Sequence, residues 1–99
     1  MADGAQLVSR RVIITGDDFG LAVPVNEAIE EAHRRGVLTT TSLMIGERAA
    51  ADAIERARRN PGLRVGLHVA LCEGRPVSSR EAIPDLIYMV KLAYALERV

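Results

Sequence analysis

Ninety-nine residues allow one small domain, burying about 60–65% of the surface that the unfolded chain exposes. Thirteen basic residues balance thirteen acidic ones, so no net charge draws the chain to nucleic acid or to an anionic membrane. The single Cys72 excludes an internal disulfide and fits a reducing compartment. Residues 1–10 are small and polar and are expected to fray, leaving 11–99 as the folded domain. Met1-Ala2-Asp3-Gly4-Ala5-Gln6 has neither a basic n-region nor an apolar h-region, so no secretory signal is visible and the cytoplasm is the expected location.

Apolar residues make up 48% of the chain but only three are aromatic, a core composition of Ala, Val, Leu and Ile that suits helices packed on a parallel sheet. Arg11–Thr15 reads as a short buried strand, β-branched and apolar, ending in the turn Gly16-Asp17-Asp18. Pro24 then suits the first turn of a helix, in which Val25, Ala28, Ile29 and Ala32 recur at i, i+3, i+4 and i+7. Glu30 and Glu31 stand four residues before Arg34 and Arg35, the favourable order for exposed ion pairs, and Gly36 stops the helix. Val37–Ile45 is predicted as strand two. Glu47–Asn60 repeats the helical pattern, with Ala50, Ala53, Ile54 and Ala57 on one face and the pairs Asp52/Arg56 and Glu55/Arg59 on the other, until Pro61-Gly62 ends it.

Arg64–Cys72 is predicted as strand three, with Val65, Leu67, Val69 and Leu71 on one side and Gly66, His68, Ala70 and Cys72 on the other. The order is β-α-β-α-β, an α/β arrangement with connections long enough for parallel crossovers. After a turn-rich loop, Pro84–Val99 resumes helical spacing at Leu86, Met89, Val90, Ala93 and Leu96, too short and interrupted by Lys91 to span a membrane. Its apolar excess predicts self-association.

Ligands of parallel α/β folds bind beyond the carboxyl ends of the strands. Asp17 and Asp18 fall at the end of strand one, and two adjacent carboxylates there call for a cation, a shared proton or a helix N-terminus. His68 falls in the second half of strand three among small residues, at the same sheet edge. An Asp with a His supplies the oxygen and nitrogen donors that suit zinc, or a harder divalent ion such as magnesium with water completing the shell. His33 sits one residue beyond the apolar stripe of helix one and is expected to be a partly exposed helix residue. Cys72, without a cationic partner or a CxxC spacing, is expected to be a small core or loop residue. Asn26 is either a helix cap or a contact to whatever the acidic loop holds. Glu73-Gly74-Arg75-Pro76 is either a substrate loop or a plain turn.

Val12-Ile13-Ile14-Thr15-Gly16-Asp17-Asp18-Phe19-Gly20, then Val25-Asn26-Glu27-Ala28-Ile29 and Gly36-Val37-Leu38-Thr39, resemble the opening of the YdjC-like carbohydrate deacetylases. Ser42-Leu43-Met44, Val65-Gly66-Leu67-His68-Val69 and Glu73-Gly74-Arg75-Pro76-Val77 continue the likeness in order, from about residue 11 to residue 86, closest to the branch associated with hopanoid lipid biosynthesis. The resemblance implies a metal-dependent N-deacetylase on a TIM-barrel-like (β/α) fold. It makes Asp18 and His68 ligands of a divalent metal and Asp17 the general base, acting on an N-acetylated sugar or glycolipid; by their position alone, Asn26, Glu73 and Arg75 are the candidate substrate contacts.

The family's third metal ligand is a histidine from a later part of the fold, and no histidine follows His68 here. The likeness is expected to end near Tyr88. Three strands cannot close a barrel, so a partial barrel that associates with its own copies, and that turns over poorly or not at all, is expected. The alternative is a non-catalytic oligomerisation or binding module on the same scaffold. A receiver-like signalling domain also holds an acidic pair after strand one, but needs a phospho-accepting Asp where this chain has Leu71-Cys72-Glu73. Asp-Phe-Gly occurs in kinases, yet no Gly-rich loop or His-Arg-Asp accompanies it, and no Gly-x-Gly-x-x-Gly marks a dinucleotide fold.

Overall fold

Three parallel strands alternate with two helices in the computed structural model, which describes residues 9–71 and 74–88. β1 is Thr15–Phe19, α1 Val23–Arg35, β2 Thr40–Leu43, α2 Ala50–Arg59 and β3 Arg64–Leu67. A 3-10 turn at Arg80–Ala82 precedes a helical stretch at residues 84–88. The sheet order is β1-β2-β3, and α1 packs on both β1 and α2, so the helices share one face. Residues 1–8, Cys72, Glu73 and the apolar spacing predicted beyond residue 88 lie outside the described residues. Among the described residues no helix is long and apolar enough to cross a membrane.

Each strand differs from the sequence expectation in extent, for one reason: a strand lasts only as long as its neighbour offers a ladder. β1 begins at Thr15, not at Arg11. The chain leaving α1 is still folding back onto it, with the Gly36 and Leu38 amides both donating to Ala32 O. β2 therefore offers its first partners at Thr39 and Thr40, whose amides donate to Ile14 O. Val12 and Ile13 stay outside the sheet, about three-quarters exposed (73% and 75%). At the other end Met44 N donates to Phe19 O and Glu47 N to Met44 O, which turns the chain away after Leu43. β3 accordingly stops at Leu67, short of the predicted Cys72, and both Val65 and Leu67 are exposed.

The core is small. Phe19, Ile29, Ala53 and Leu63 form its buried centre, with Val25, Leu38, Leu43 and Ala57 packed around it. α1 is turned relative to the predicted stripe: it buries Asn26, Ile29 and Glu30, whereas Ala28 is exposed. The rotation follows from what α2 offers. Arg56 lies against α1 and binds Glu30 at 2.7 Å and Asp52 at 2.8 Å, while Asn60 donates to Glu30 at 2.7 Å. Glu30 is thus drawn inward by three polar partners, Arg59 among them, rather than pairing with Arg34. Of the predicted helix-surface pairs, Glu31–Arg35 and Asp52–Arg56 form, and Glu55 takes Arg58 instead of Arg59.

These partners hold both carboxyls below their ordinary range. The Asn60 amide and then the Arg56 guanidinium lower Glu30 from its usual 4.5, against the opposing effect of burial. Arg56, and then Asn26, lower Asp52 from its usual 3.8. A lowered folded-state value means stability that is complete above the unfolded value and drains away as pH falls through the folded one. Thermal stability is therefore expected to hold near neutrality and to decline as pH drops below about 4.5. Arg56→Met should cost about 1–3 kcal/mol at neutral pH by leaving Glu30 underpartnered, and should flatten that acid decline. Parallel melting curves for both proteins would go against this account.

Candidate functional site

The sheet register places an irregularity at the acidic pair. Gly16 pairs with Thr41 and Phe19 with Leu43, so Asp17 and Asp18 together face the single residue Ser42. This is a β-bulge inside β1, not a turn after it as the sequence suggests. Its effect is on side-chain direction. In a regular strand the two carboxylates would point to opposite faces and Phe19 would share a face with Asp17. With the extra residue both carboxylates reach the same side, and Phe19 still enters the core against the helices. Asp18 adopts φ 67°, the left-handed region that costs an ordinary side chain about 1–2 kcal/mol but that Asp tolerates better than most.

Three adjacent strands contribute to one cluster. Ser42, on the β2 face opposite the core-facing Leu43, donates its hydroxyl to Asp17 Oδ1 at 3.1 Å and lies 3.3 Å from His68 Nδ1. His68 is the first residue past β3, its amide still bonded to Leu43 O, and its Nδ1 stands 3.5 Å from Asp18 Oδ1. Asp18 is half exposed and His68 three-quarters buried. Ser42 was visible in the sequence as a polar residue in the alternate phase to Leu43, near the end of strand two, which is the signal that would have placed it here.

The Asp18 and His68 donors suit a divalent ion. Two ligands about 2.1 Å from one tetrahedral ion stand about 3.4 Å apart, so an oxygen and a nitrogen at 3.5 Å have the spacing of neighbouring ligands. Among the described residues no group of three or more His, Cys, Asp or Glu is arranged to hold a metal ion.

The remaining predicted residues separate from this cluster. Asn26, expected at the substrate, is completely buried. Its Oδ1 accepts from Gly20 N at 2.7 Å, and its Nδ2 donates to Ala49 O at 3.0 Å and to Asp52 Oδ2 at 2.9 Å, so no polar atom of its side chain is left for a ligand. Arg75 lines a cavity of about 240 Å³ beside His68, together with Met44, Leu67, Val77 and Leu86. Glu73 lies outside the described residues. His33 is partly buried, and its Nδ1 bonds Leu38 O at 2.8 Å, away from the cluster.

Known proteins carry a similar segment. The profile of the YdjC-like protein family matches residues 11–98, so the likeness runs past Tyr88, where the sequence reading ended it. The carbohydrate deacetylase of Oceanobacillus iheyensis is 45% identical over 69 residues, covering 70% of this chain and 30% of that protein. A carbohydrate deacetylase of Vibrio cholerae is 40% identical over 75 residues, 76% of this chain and 30% of its own. A solved structure from Enterococcus faecalis V583, named for cellobiose-phosphate cleavage, matches 75% of this chain and 30% of its own, with TM-score 0.68 and 39% identity. The chain thus spans about 30% of the length of these relatives.

The left-handed residue in the bulge can be tested by stability alone. Asp18→Gly should be at least as stable as the parent, because glycine takes φ 67° freely and one of two neighbouring charges is gone. Asp18→Val should be less stable than Asp18→Gly by about 1–2 kcal/mol in urea unfolding. Equal midpoints for the two variants would show that the backbone at this position is not so held.

Proposed function

This chain belongs to the YdjC-like protein family, and we propose that it carries part of a carbohydrate N-deacetylase site, in which Asp18 and His68 hold a divalent ion and Asp17 acts as general base. The observation that supports this most is the convergence of Asp17, Ser42, Asp18 and His68 across three adjacent strands. The relatives named carbohydrate deacetylase support the reaction class and a sugar substrate. The narrower reading, an N-acetylated amino sugar and in the hopanoid branch a glycolipid, is supported by the sequence resemblance alone.

The reaction is hydrolysis of an acetamide: water adds to the carbonyl carbon, the C–N bond breaks, and acetate and a free amine leave. A divalent ion, when bound, supplies an acidified water and a positive charge for the developing oxyanion. The chain's own residues do the rest. Asp17 removes a proton from the attacking water, and that proton is the one the departing amine needs, so a single carboxyl can serve both transfers. Ser42 keeps Asp17 Oδ1 oriented by donating to it, which leaves the other carboxylate oxygen to take the proton. Zinc and magnesium are both compatible with an Asp–His pair. Arg75, in the cavity wall beside His68, is the described residue from the predicted substrate loop best placed to meet a sugar hydroxyl.

A second reading, a module that associates with copies of itself without turnover, is favoured by the exposed apolar residues Ile13, Leu67, Val69 and Leu71. Calorimetry with zinc on the 99-residue chain separates the two. Under the deacetylase reading zinc binds, and Asp18→Ala and His68→Ala each weaken binding about tenfold or more. Asp17→Asn should retain zinc and abolish any acetate release that the parent chain gives from an N-acetylglucosaminyl substrate. Zinc binding indifferent to Asp18 and His68, with sedimentation as a self-associated species, would favour the second reading. Acetate release at the rate of the full-length Oceanobacillus relative would overturn the expectation of an incomplete site.

A further inference from the structure

We propose that Asn26 is a positioning residue for the acidic bulge: by clamping Gly20 to the start of α2, it keeps Asp18 in the left-handed conformation that turns its carboxylate to His68. This builds on the reading of Asp18 and His68 as a ligand pair, but the clamp itself is a matter of backbone geometry and is testable without metal.

Gly20 is held from three directions. Its amide donates to Asn26 Oδ1 at 2.7 Å, its carbonyl accepts from Ala49 N at 3.0 Å, and its φ is 101°. It is the third residue of the turn closed by Leu21 N donating to Asp18 O at 3.0 Å, the position at which type II turns require positive φ. A Cβ added at Gly20 would lie 2.9 Å from Met44 O and 3.3 Å from the Ala50 Cα, so only glycine fits this close against the start of α2. Asp18 is thus the first residue of a turn whose far end is anchored, and its carbonyl is committed to that turn while its φ stands at 67°.

Asn26 closes the ring. It accepts from Gly20 and donates to Ala49 O, the residue whose amide holds the Gly20 carbonyl, and its second amide proton goes to Asp52 Oδ2. The position calls for one acceptor and two donors in a fully buried space. Asp has no donor and would face Asp52 with a like charge. Leu has neither. Gln is one methylene too long for a site without exposed surface. Asn alone meets the demand. The orientation of its amide is fixed in turn from α2, because Asp52 is held by Arg56 Nε at 2.8 Å and Arg56 by Glu30 at 2.7 Å. An ion-pair network between the two helices thereby reaches the site through a single buried side chain.

The test uses NMR on the metal-free 99-residue chain, reading the Asp18 HN–Hα coupling, the Asp18–His68 proximity and amide exchange at Gly20, followed by zinc titration. In Asn26→Asp, Gly20 exchange should accelerate at least tenfold beyond any change in global unfolding, the Asp18 coupling should average toward a mixed value, and zinc affinity should fall about tenfold or more. Asp52→Ala, which leaves Asn26 in place with one partner fewer, should shift the same readouts by a few fold and keeps the proposal testable if Asn26→Asp does not fold. Glu55→Gly, at an exposed position of α2 outside the ring, should lower stability while leaving the Asp18 coupling and zinc affinity unchanged. Unaltered Asp18 and Gly20 signals in both Asn26→Asp and Asp52→Ala would overturn the proposal, as would equal shifts in Glu55→Gly. If the parent keeps the bulge geometry through Asn26 but binds no zinc, the deacetylase reading fails and the clamp stands.

Discussion

Two carboxylates on successive residues are the constraint that the rest of this fold accommodates. A strand sends neighbouring side chains to opposite faces, and one of those faces here is the core. Had β1 been regular, it would have driven one aspartate toward the helices and cost the core Phe19, the largest fully buried apolar side chain among the described residues. The bulge resolves that conflict: one extra residue puts both carboxylates on the open side and returns Phe19 to the interior. The remaining features of the loop follow. Asp18 enters the left-handed region, Gly20 makes the turn, and the polar residues on the next two strands, Ser42 and His68, receive the carboxylates.

The interior on the helix side is unusual in being organised by polar groups. Among the described residues Phe19, Ile29, Ala53 and Leu63 form the buried apolar cluster, and the two helices around it meet through Glu30, Arg56, Asp52, Asn60 and Asn26. Buried ion pairs contribute little net stability compared with apolar residues of the same shape, because desolvation offsets the attraction. What they add is direction. Each donor must meet an acceptor, so α1 has a single rotation that satisfies Glu30 and Asn26 together, and among the described residues that are not exposed no buried side-chain polar atom is left without a partner. A fold whose paired carboxylates sit on a bulge benefits from helices that cannot roll.

Of the four side chains that converge, residue type alone singles out three. Asp17, Asp18 and His68 stand out in the sequence because two charges and an imidazole at strand ends are hard to explain as packing. Ser42 does not stand out by type, since an isolated serine in a strand is common; its phase relative to Leu43 marks only its face, and its bond to Asp17 depends on a bulge that periodicity cannot reveal. Asn26 was legible only as two open alternatives. Its neighbours in space, Gly20, Ala49 and Asp52, are distant from it in sequence or lie outside any pattern.

The sequence by itself determined which segments are helix and strand, their order and the parallel α/β class, because local periodicity, proline and glycine act over a few residues and need no partner. It also placed the acidic pair and the histidine at one edge of the sheet, through the direction that parallel strands share. Tertiary structure decided where each strand begins and ends, which face α1 buries, and that the two carboxylates point the same way. Those outcomes depend on ladders that last only as long as a neighbouring strand, and on Glu30 finding Arg56 and Asn60 across the interhelical space. No residue can express either preference until its partner, some 24 to 30 positions along the chain, has arrived.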